Sequence, residues 1–262
     1  MITLLLASGK GGTGKTTITA MLAAALNAQY GFKVALLDLD TCGPNLPKVL
    51  ETQTGKVLWG EVFDEEGFYP MTDGTFEIFS PAFLMPEGVG VAWDGRKRQD
   101  LIRELLLEVH WNKPDILLCD CPPGTGDEIV AVMTYADHID GIIVITTGAR
   151  ASVDDAKRLI GMMRSQRFNA PVLGVVENMG FLMGGEGMES RTRVFSDDIN
   201  YATELDTPII AVIPFSNNLN VRQYNGLAEA VVRSLGLRPP EETALSDPAK
   251  GTPEEAGGDP HD

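Results

Sequence analysis

The sequence predicts an α/β protein built on a doubly wound, mostly parallel sheet with helices on both faces. Three observations lead there. Runs that are apolar throughout, such as ITLLLA and GIIVITTG, alternate with helical patterns, as strands covered on both faces do. Several of these runs end in acids, as in KVALLDLD and DILLCD. Between the first run and the first helix stands a glycine-rich turn, SGKGGTGKTT, and in such sheets ligands bind beyond the carboxyl ends of the strands.

In chain order, ITLLLA reads as the first strand, and Thr16 to Gln29 as a helix of good helix formers. KVALLDLD is the second strand. From about Gln53 to Met85 the pattern weakens into Gly, Asp and aromatics, an irregular insertion or small hairpin, with FEIFSP strand-like inside it. Arg96 to His110 is a helix, with Leu101, Ile102, Leu105, Leu106 and Val109 on one face. The strands DILLCDCP and GIIVITTG, a helix from Ser152 to Arg167, the strands PVLGVVEN and PIIAVIP, and a helix from Gly226 to Leu235 complete the pattern. With no internal repeat and no linker, residues 1–237 are expected to form one domain. Residues 238–262 carry seven acids against two bases, several prolines and almost nothing to bury, which predicts a disordered acidic tail.

Composition narrows the function. The formal charge is −16, and nonspecific nucleic-acid binding and anionic membranes both require basic surfaces, so neither partner is expected. Met1 leads straight into the first strand, and no apolar run approaches the ~20 residues of a membrane span. Cys42, Cys119 and Cys121 are too few for a disulfide scaffold, which fits a reducing cytoplasm.

Gly9, Gly14, Lys15 and Thr16 fit G-x-x-x-x-G-K-[ST] in its strand–loop–helix context, which identifies a P-loop NTPase fold. Gly11, Gly12, Thr13, Gly14 and Thr17 complete the loop around the phosphates, Lys15 can reach the β- and γ-phosphates, and the Thr16 hydroxyl can ligate Mg²⁺. Lys10 lies inside a loop whose phosphates Lys15 already serves; it is either a solvated lysine or points at another molecule's nucleotide. Asp38 and Asp40 close the second strand, where a carboxylate can orient the attacking water or hold water around Mg²⁺, or merely cap a turn. Asp120 ends ILLCD in the usual form of the second metal-side acid, and CPPGTGDE after it forms a turn able to sense a γ-phosphate.

Asn112 to Asp115 reads NKPD, an imitation of the guanine-reading N-K-x-D. It precedes its strand instead of following it, so it belongs at the edge opposite the phosphates. Asn178, at the end of PVLGVVEN, is the better base reader, because its amide can both donate to and accept from adenine, and Pro214 can add backbone contacts; the alternative is a turn-forming Asn after a strand.

GKGGTGKTT resembles the deviant phosphate loop of the MinD/ParA/ArsA branch of P-loop ATPases, whose early lysine crosses a dimer interface. CDCPPGTGDE, GVAWDGRKRQDLIRELLLEVHW and PVLGVVENM are closely similar to the Mrp (ApbC-type) iron-sulfur carrier ATPases, a resemblance running from Met1 to about Leu235. It implies an ATP- and Mg²⁺-dependent homodimeric ATPase acting on a client or assembly protein. Lys10 would be the cross-dimer lysine, Lys15 the phosphate lysine, Thr16 the Mg²⁺ ligand, Asp40 the water-orienting acid, Asp120 the second-shell metal acid and Asn178 the adenine reader. One departure matters. Family carriers hold a bridging cluster by a C-P-x-C pair after ENM, and here ENMGFLMGGEGMESRTRVF has no cysteine. Met179, Met183 and Met188 offer only thioethers, which replace thiolates poorly and suit packing or a partner surface better. Cys42 and Cys121, both expected near the γ-phosphate, form a soft-metal candidate, with the alternative that they are small filler residues.

Two other readings compete. A MinD- or ParA-like positioning ATPase needs a basic surface or a basic amphipathic C-terminal helix, whereas this chain runs LAEAVVRSLGLRPPEE into acids. A nitrogenase-like reductase needs cysteine pairs at an interface, and only Cys42 and Cys121 are available.

Overall fold

The computed structural model describes residues 1–55, 58, 60–64, 67–84, 94–183, 191–195, 201–216 and 220–240. Strand and helix alternate: β1 (Ile2–Ala7), α1 (Lys15–Tyr30), β2 (Val34–Asp38), α2 (Leu46–Thr54), β3 (Met71–Thr72), β4 (Glu77–Phe79), α3 (Gly95–Glu108), β5 (Ile116–Asp120), α4 (Asp127–Tyr135) and β6 (Gly141–Thr147). There follow α5 (Arg150–Met163), β7 (Val172–Asn178), β8 (Phe181–Met183), β9 (Arg191–Arg193), α6 (Tyr201–Leu205), β10 (Ile209–Val212) and α7 (Asn225–Leu235).

The main sheet has the order β10-β7-β6-β1-β5-β2-β4-β3, and β8 pairs with β9 in a separate hairpin. Every neighbouring pair in the main sheet is parallel except β3 with β4. β2, β5 and β6 are buried at every residue, as their unbroken apolar sequences require. Successive side chains pass to opposite faces. Leu5, Leu37, Leu117 and Cys119 therefore enter the core beneath α3, α4 and α5, while Leu4, Leu6, Leu36 and Leu118 enter the one beneath α1 and α7. The doubly wound sheet with helices on both faces is the observed architecture.

The helix boundaries have local causes. α1 ends at Gly31, whose left-handed φ of 71° lets its N–H reach the Asn27 carbonyl. α3 starts where the Asp94 carboxylate accepts from the Lys97 N–H. Three helices were not anticipated from periodicity. α2 is only nine residues with a proline in its first turn, α4 begins directly inside the GTGDE turn, and α6 spans five residues. The described part of the irregular middle contains the β3–β4 hairpin, whose turn is fixed by Asp73 Oδ1 accepting from the N–H groups of Thr75 and Phe76 at 2.8 Å each. Met188 and the tail beyond residue 240 lie outside the described residues.

Leu118 sits fully buried in β5 between β1 and β2. Leu118→Ala is expected to lower unfolding stability by about 2–5 kcal/mol, read from the shift of a urea denaturation midpoint at unchanged slope.

Candidate nucleotide-binding site

β1 is flanked by β5 and β6, so the chain winds outward from it in both directions. The crevice where the winding reverses is where a doubly wound sheet binds its ligand. The glycine-rich turn leaves β1 here. Gly12 and Gly14 adopt φ of 78° and 83°, values a side chain disfavours. A Cβ on Gly9 would strike the Asp155 backbone in α5, and one on Gly14 would strike the Asn178 amide. The loop encloses a cavity of about 230 Å³, lined by residues 11–17 and Ser8, with Asp40, Asn45 and Pro123 opposite.

Beneath the loop Asp120, 1% exposed, gathers three side chains. Lys15 Nζ meets its Oδ1 at 2.7 Å, Thr16 Oγ1 donates to Oδ2 at 2.7 Å, and Thr19 Oγ1 donates to Oδ1 at 3.0 Å. Burial alone would lower the Lys15 pKa, but the charge and hydrogen bond of Asp120 outweigh it and the net shift is upward. Asp38 stands beside Asp120 in the β2–β5 register. It accepts from Ser80 Oγ at 2.8 Å, the Asp40 N–H at 3.1 Å and the Leu46 N–H at 3.3 Å. Burial, and next the charge of Asp120, push its carboxyl up to about 7. Two buried carboxylates thus face one ammonium, a donor set that suits an additional divalent cation.

The surrounding loops are tied to this centre. The Gly124 N–H, at φ 92°, donates to the Ser8 carbonyl at 2.8 Å, and the Cys121 N–H to Leu6 at 3.0 Å. The PPGTG turn is therefore stitched to the phosphate loop. Asp40 lines the cavity while its Oδ1 caps its own turn, accepting from the N–H groups of Cys42 and Gly43 at 3.1 Å each. The turn-capping alternative named for it from sequence is therefore observed. Asn178 is buried and donates from Nδ2 to the Thr13 carbonyl at 2.8 Å, which leaves its second N–H and its Oδ1 uncommitted by that bond. Pro214 is buried just past β10, next to Ile213, whose N–H donates to Glu177 in β7. Lys10 is half-buried, does not line the cavity, and forms no ion pair among the described residues. Asn112, Lys113 and Pro114 line a separate cavity with Lys33 and Val34 at the amino ends of the strands, the edge opposite the phosphate loop.

One expectation needs correction. Cys42 and Cys121 do not converge on a soft-metal site. Cys121 is fully buried in the apolar core, and burial above all pushes its thiol up to about 12. Cys42 is exposed and turned toward Arg98 and Glu128. No cluster of three or more metal-ligating side chains occurs among the described residues. The strand alternation that sends Asp120 toward α1 necessarily sends Cys119 and Cys121 into the other core. The sequence reading also missed Thr19, Ser80, Arg98 and the Glu177–Arg193 pair. Thr19 had a signal, being one helical turn beyond Lys15; the others depend on long-range packing.

The profile of a family described as ParA, NUBPL iron-transfer P-loop NTPase, matches residues 2–237. The chain belongs to this family. An iron-sulfur cluster carrier protein of Methanocaldococcus jannaschii is 41% identical over 182 residues, 68% of this chain and 60% of that protein. This chain therefore spans less than two thirds of that archaeal member. A cytosolic Fe-S cluster assembly factor, a Nubp2 homolog of Drosophila simulans, is 34% identical over 83% of this chain and 84% of its own. Among solved structures, a nucleotide-binding protein from Archaeoglobus fulgidus in complex with ADP is 30% identical, covers 87% of each chain and has a TM-score of 0.62. The septum site-determining protein MinD of Pyrococcus horikoshii, complexed with Mg-ADP, shares the fold at a TM-score of 0.57 and 23% identity. No helix among the described residues of this family member is long and apolar enough to cross a membrane.

The cysteine environments give a direct test. Native protein at pH 8 should take up one alkylating group per chain, at Cys42, and three after denaturation. The Cys42 rate should fall below that of a free thiol, because burial and then the Glu128 charge raise its pKa. Peptide mass spectrometry checks both, and native labelling of Cys121 would contradict its burial.

Proposed function

We propose that this chain is a dimerising ATPase of the Mrp type, which binds and hydrolyses ATP in the service of iron-sulfur cluster or metallocentre assembly. The observation that carries the reading is the buried Lys15–Asp120–Thr16 arrangement directly under a glycine-lined cavity. The names of the relatives support the assembly role, and the ADP bound in the Archaeoglobus protein supports a nucleotide in this cavity.

The residues divide the work as follows. The N–H groups of residues 11–17 surround the phosphates. Lys15, held charged by Asp120, exchanges that carboxylate for the β- and γ-phosphates. Thr16 and Asp120, with Asp40 through water, would hold Mg²⁺, which offsets the charge that develops on the phosphates during transfer. Asp40 orients the attacking water with the carboxylate oxygen that its own turn does not use. Asn178 reads the adenine edge with its remaining N–H and its Oδ1, and Pro214 supplies neighbouring backbone contacts. Lys10, outside its own cavity, reaches the phosphates of a second copy.

The cluster, in this reading, is cargo or a partner's product. The hairpin after Asn178 contributes no thiolate, and Cys119 and Cys121 are buried. Anaerobic reconstitution with iron and sulfide, followed by desalting, should leave no stable visible absorbance from a bridging four-iron cluster. Retention of about four irons per dimer would overturn this, because such a cluster takes four thiolates.

Lys15→Ala should abolish ATP binding. Lys10→Ala should leave binding within a few-fold of wild type but suppress turnover and ATP-induced dimerisation. Light scattering with a slowly hydrolysed ATP analogue, beside a phosphate-release assay, decides it. A Lys10 variant that dimerises and turns over normally would remove the cross-dimer role.

A further inference from the structure

Arg98, near the start of α3, touches two segments that border the nucleotide cavity. Its Nη1 donates to Cys42 Sγ at 2.9 Å, and its Nε lies 3.0 Å from Glu128 Oε1. Cys42 Sγ in turn lies 3.5 Å from the same Glu128 oxygen. The Nε approach is an ion-pair contact without hydrogen-bond alignment; the directional bond is the one to sulfur. Cys42 belongs to the turn that the Asp40 carboxylate caps, and Glu128 is the second residue of α4, directly after the PPGTG turn. Arg98 therefore ties together the segments following β2 and β5.

We propose that Arg98 is a positioning residue for hydrolysis, a brace that fixes the Asp40 turn against α4 so that the Asp40 carboxylate stays aimed into the cavity. The proposal rests on the hydrolytic reading given above. Stability is not what the contact supplies: both side chains of the pair are partly exposed, at 31% and 22%, and such ion pairs contribute little to folding. Position is what it supplies. Asp40 Oδ1 is bonded to the N–H groups of Cys42 and Gly43, so a displaced Cys42 displaces the carboxylate. A shift of about 1 Å in a group that orients a reactant can cost roughly 100-fold in rate. The planar fork of arginine serves sulfur and carboxylate together, whereas the point charge of lysine does not reproduce both contacts.

The test compares Arg98→Met, Arg98→Lys and the exposed neighbour Arg96→Ala with wild type. Turnover at saturating ATP, KM, ATP affinity under non-hydrolysing conditions and the urea midpoint are measured for each. Arg98→Met should lose about tenfold or more in kcat, with ATP affinity within about twofold of wild type and an unchanged midpoint. Arg98→Lys should fall between, and Arg96→Ala should match wild type. Turnover of Arg98→Met equal to wild type overturns the brace alone. A parallel loss of affinity and stability also overturns it, because the contact would then be merely structural. A wild-type protein that binds ATP without hydrolysing it overturns the hydrolytic reading and the brace together.

Discussion

Everything around the phosphate loop depends on the buried carboxylate of Asp120. It fastens the first turn of α1 to the end of β5 through Lys15, Thr16 and Thr19. A buried charge persists only when it is paired and hydrogen-bonded, and Asp120 is both. Removing one partner of such a pair costs about 3–5 kcal/mol, because the other is left uncompensated. The pairing also keeps Lys15 charged against the opposing pull of burial. The parallel register then brings Asp38 beside Asp120, and the resulting surplus of negative charge raises the Asp38 pKa after burial has already done so. With one ammonium between two carboxylates in a low-dielectric site, burial and then the charge of Asp120 both favour the protonated form of Asp38, which Ser80 and two backbone N–H groups hold in place.

The loop above this centre is held by close contacts as much as by glycine's freedom. Gly9 is flush with the Asp155 backbone, Gly14 with the Asn178 amide, and Ser8 accepts from Gly124. These neighbours come from α5, β7 and the turn after β5, which converge because β1 lies between β5 and β6. Backbone donors fixed in this way need little rearrangement, which is the energetic use of preorganisation, and the change of partner falls on the Lys15 side chain.

The elements legible in the sequence were those with a long-period signal. The continuously apolar strands, α1, α3, α5 and α7 all occur where periodicity placed them, and the strand-end acids share one edge with the loop. Position relative to a strand also sufficed to set aside NKPD, since residues before a parallel strand lie at the opposite edge from those after it. What stayed hidden was short or nonlocal. α2 and α4 have nine residues each, too few for periodicity to separate them from turns. Ser80 reaches Asp38 only because β4 packs beside β2, and Arg98 reaches Cys42 across 56 positions. The two-cysteine site failed for a simpler reason. Cys121 continues the alternation of β5 by one more residue and is buried, a face assignment that the sequence already contained for Cys119.

The end of β7 shows how the hairpin that follows it is mounted without cysteine. Asn178 and Glu177 are successive residues, so their side chains leave the strand on opposite faces. Asn178 bonds the phosphate loop at Thr13, while Glu177, 1% exposed, pairs with Arg193 of β9 at 2.6 Å. The Gly180 N–H, donating to Ile213 just past β10, ties the same hairpin to the neighbouring strand end, and the Val194 N–H, donating to Gly180, closes its base. The mount of the hairpin is therefore made of a carboxylate, a guanidinium and backbone amides, none of which is a thiol. Cysteines can be absent from the sequence between β7 and α6 without any of these anchors being lost. The described part of the mount presents a mixed surface, with Leu182, Val194 and Phe215 each more than a third exposed beside the exposed Thr192 and Arg193. Nucleotide loop and hairpin thus depend on the same strand end: Asn178 bonds the loop, Glu177 the hairpin, and the backbone beyond them the strand next to β7.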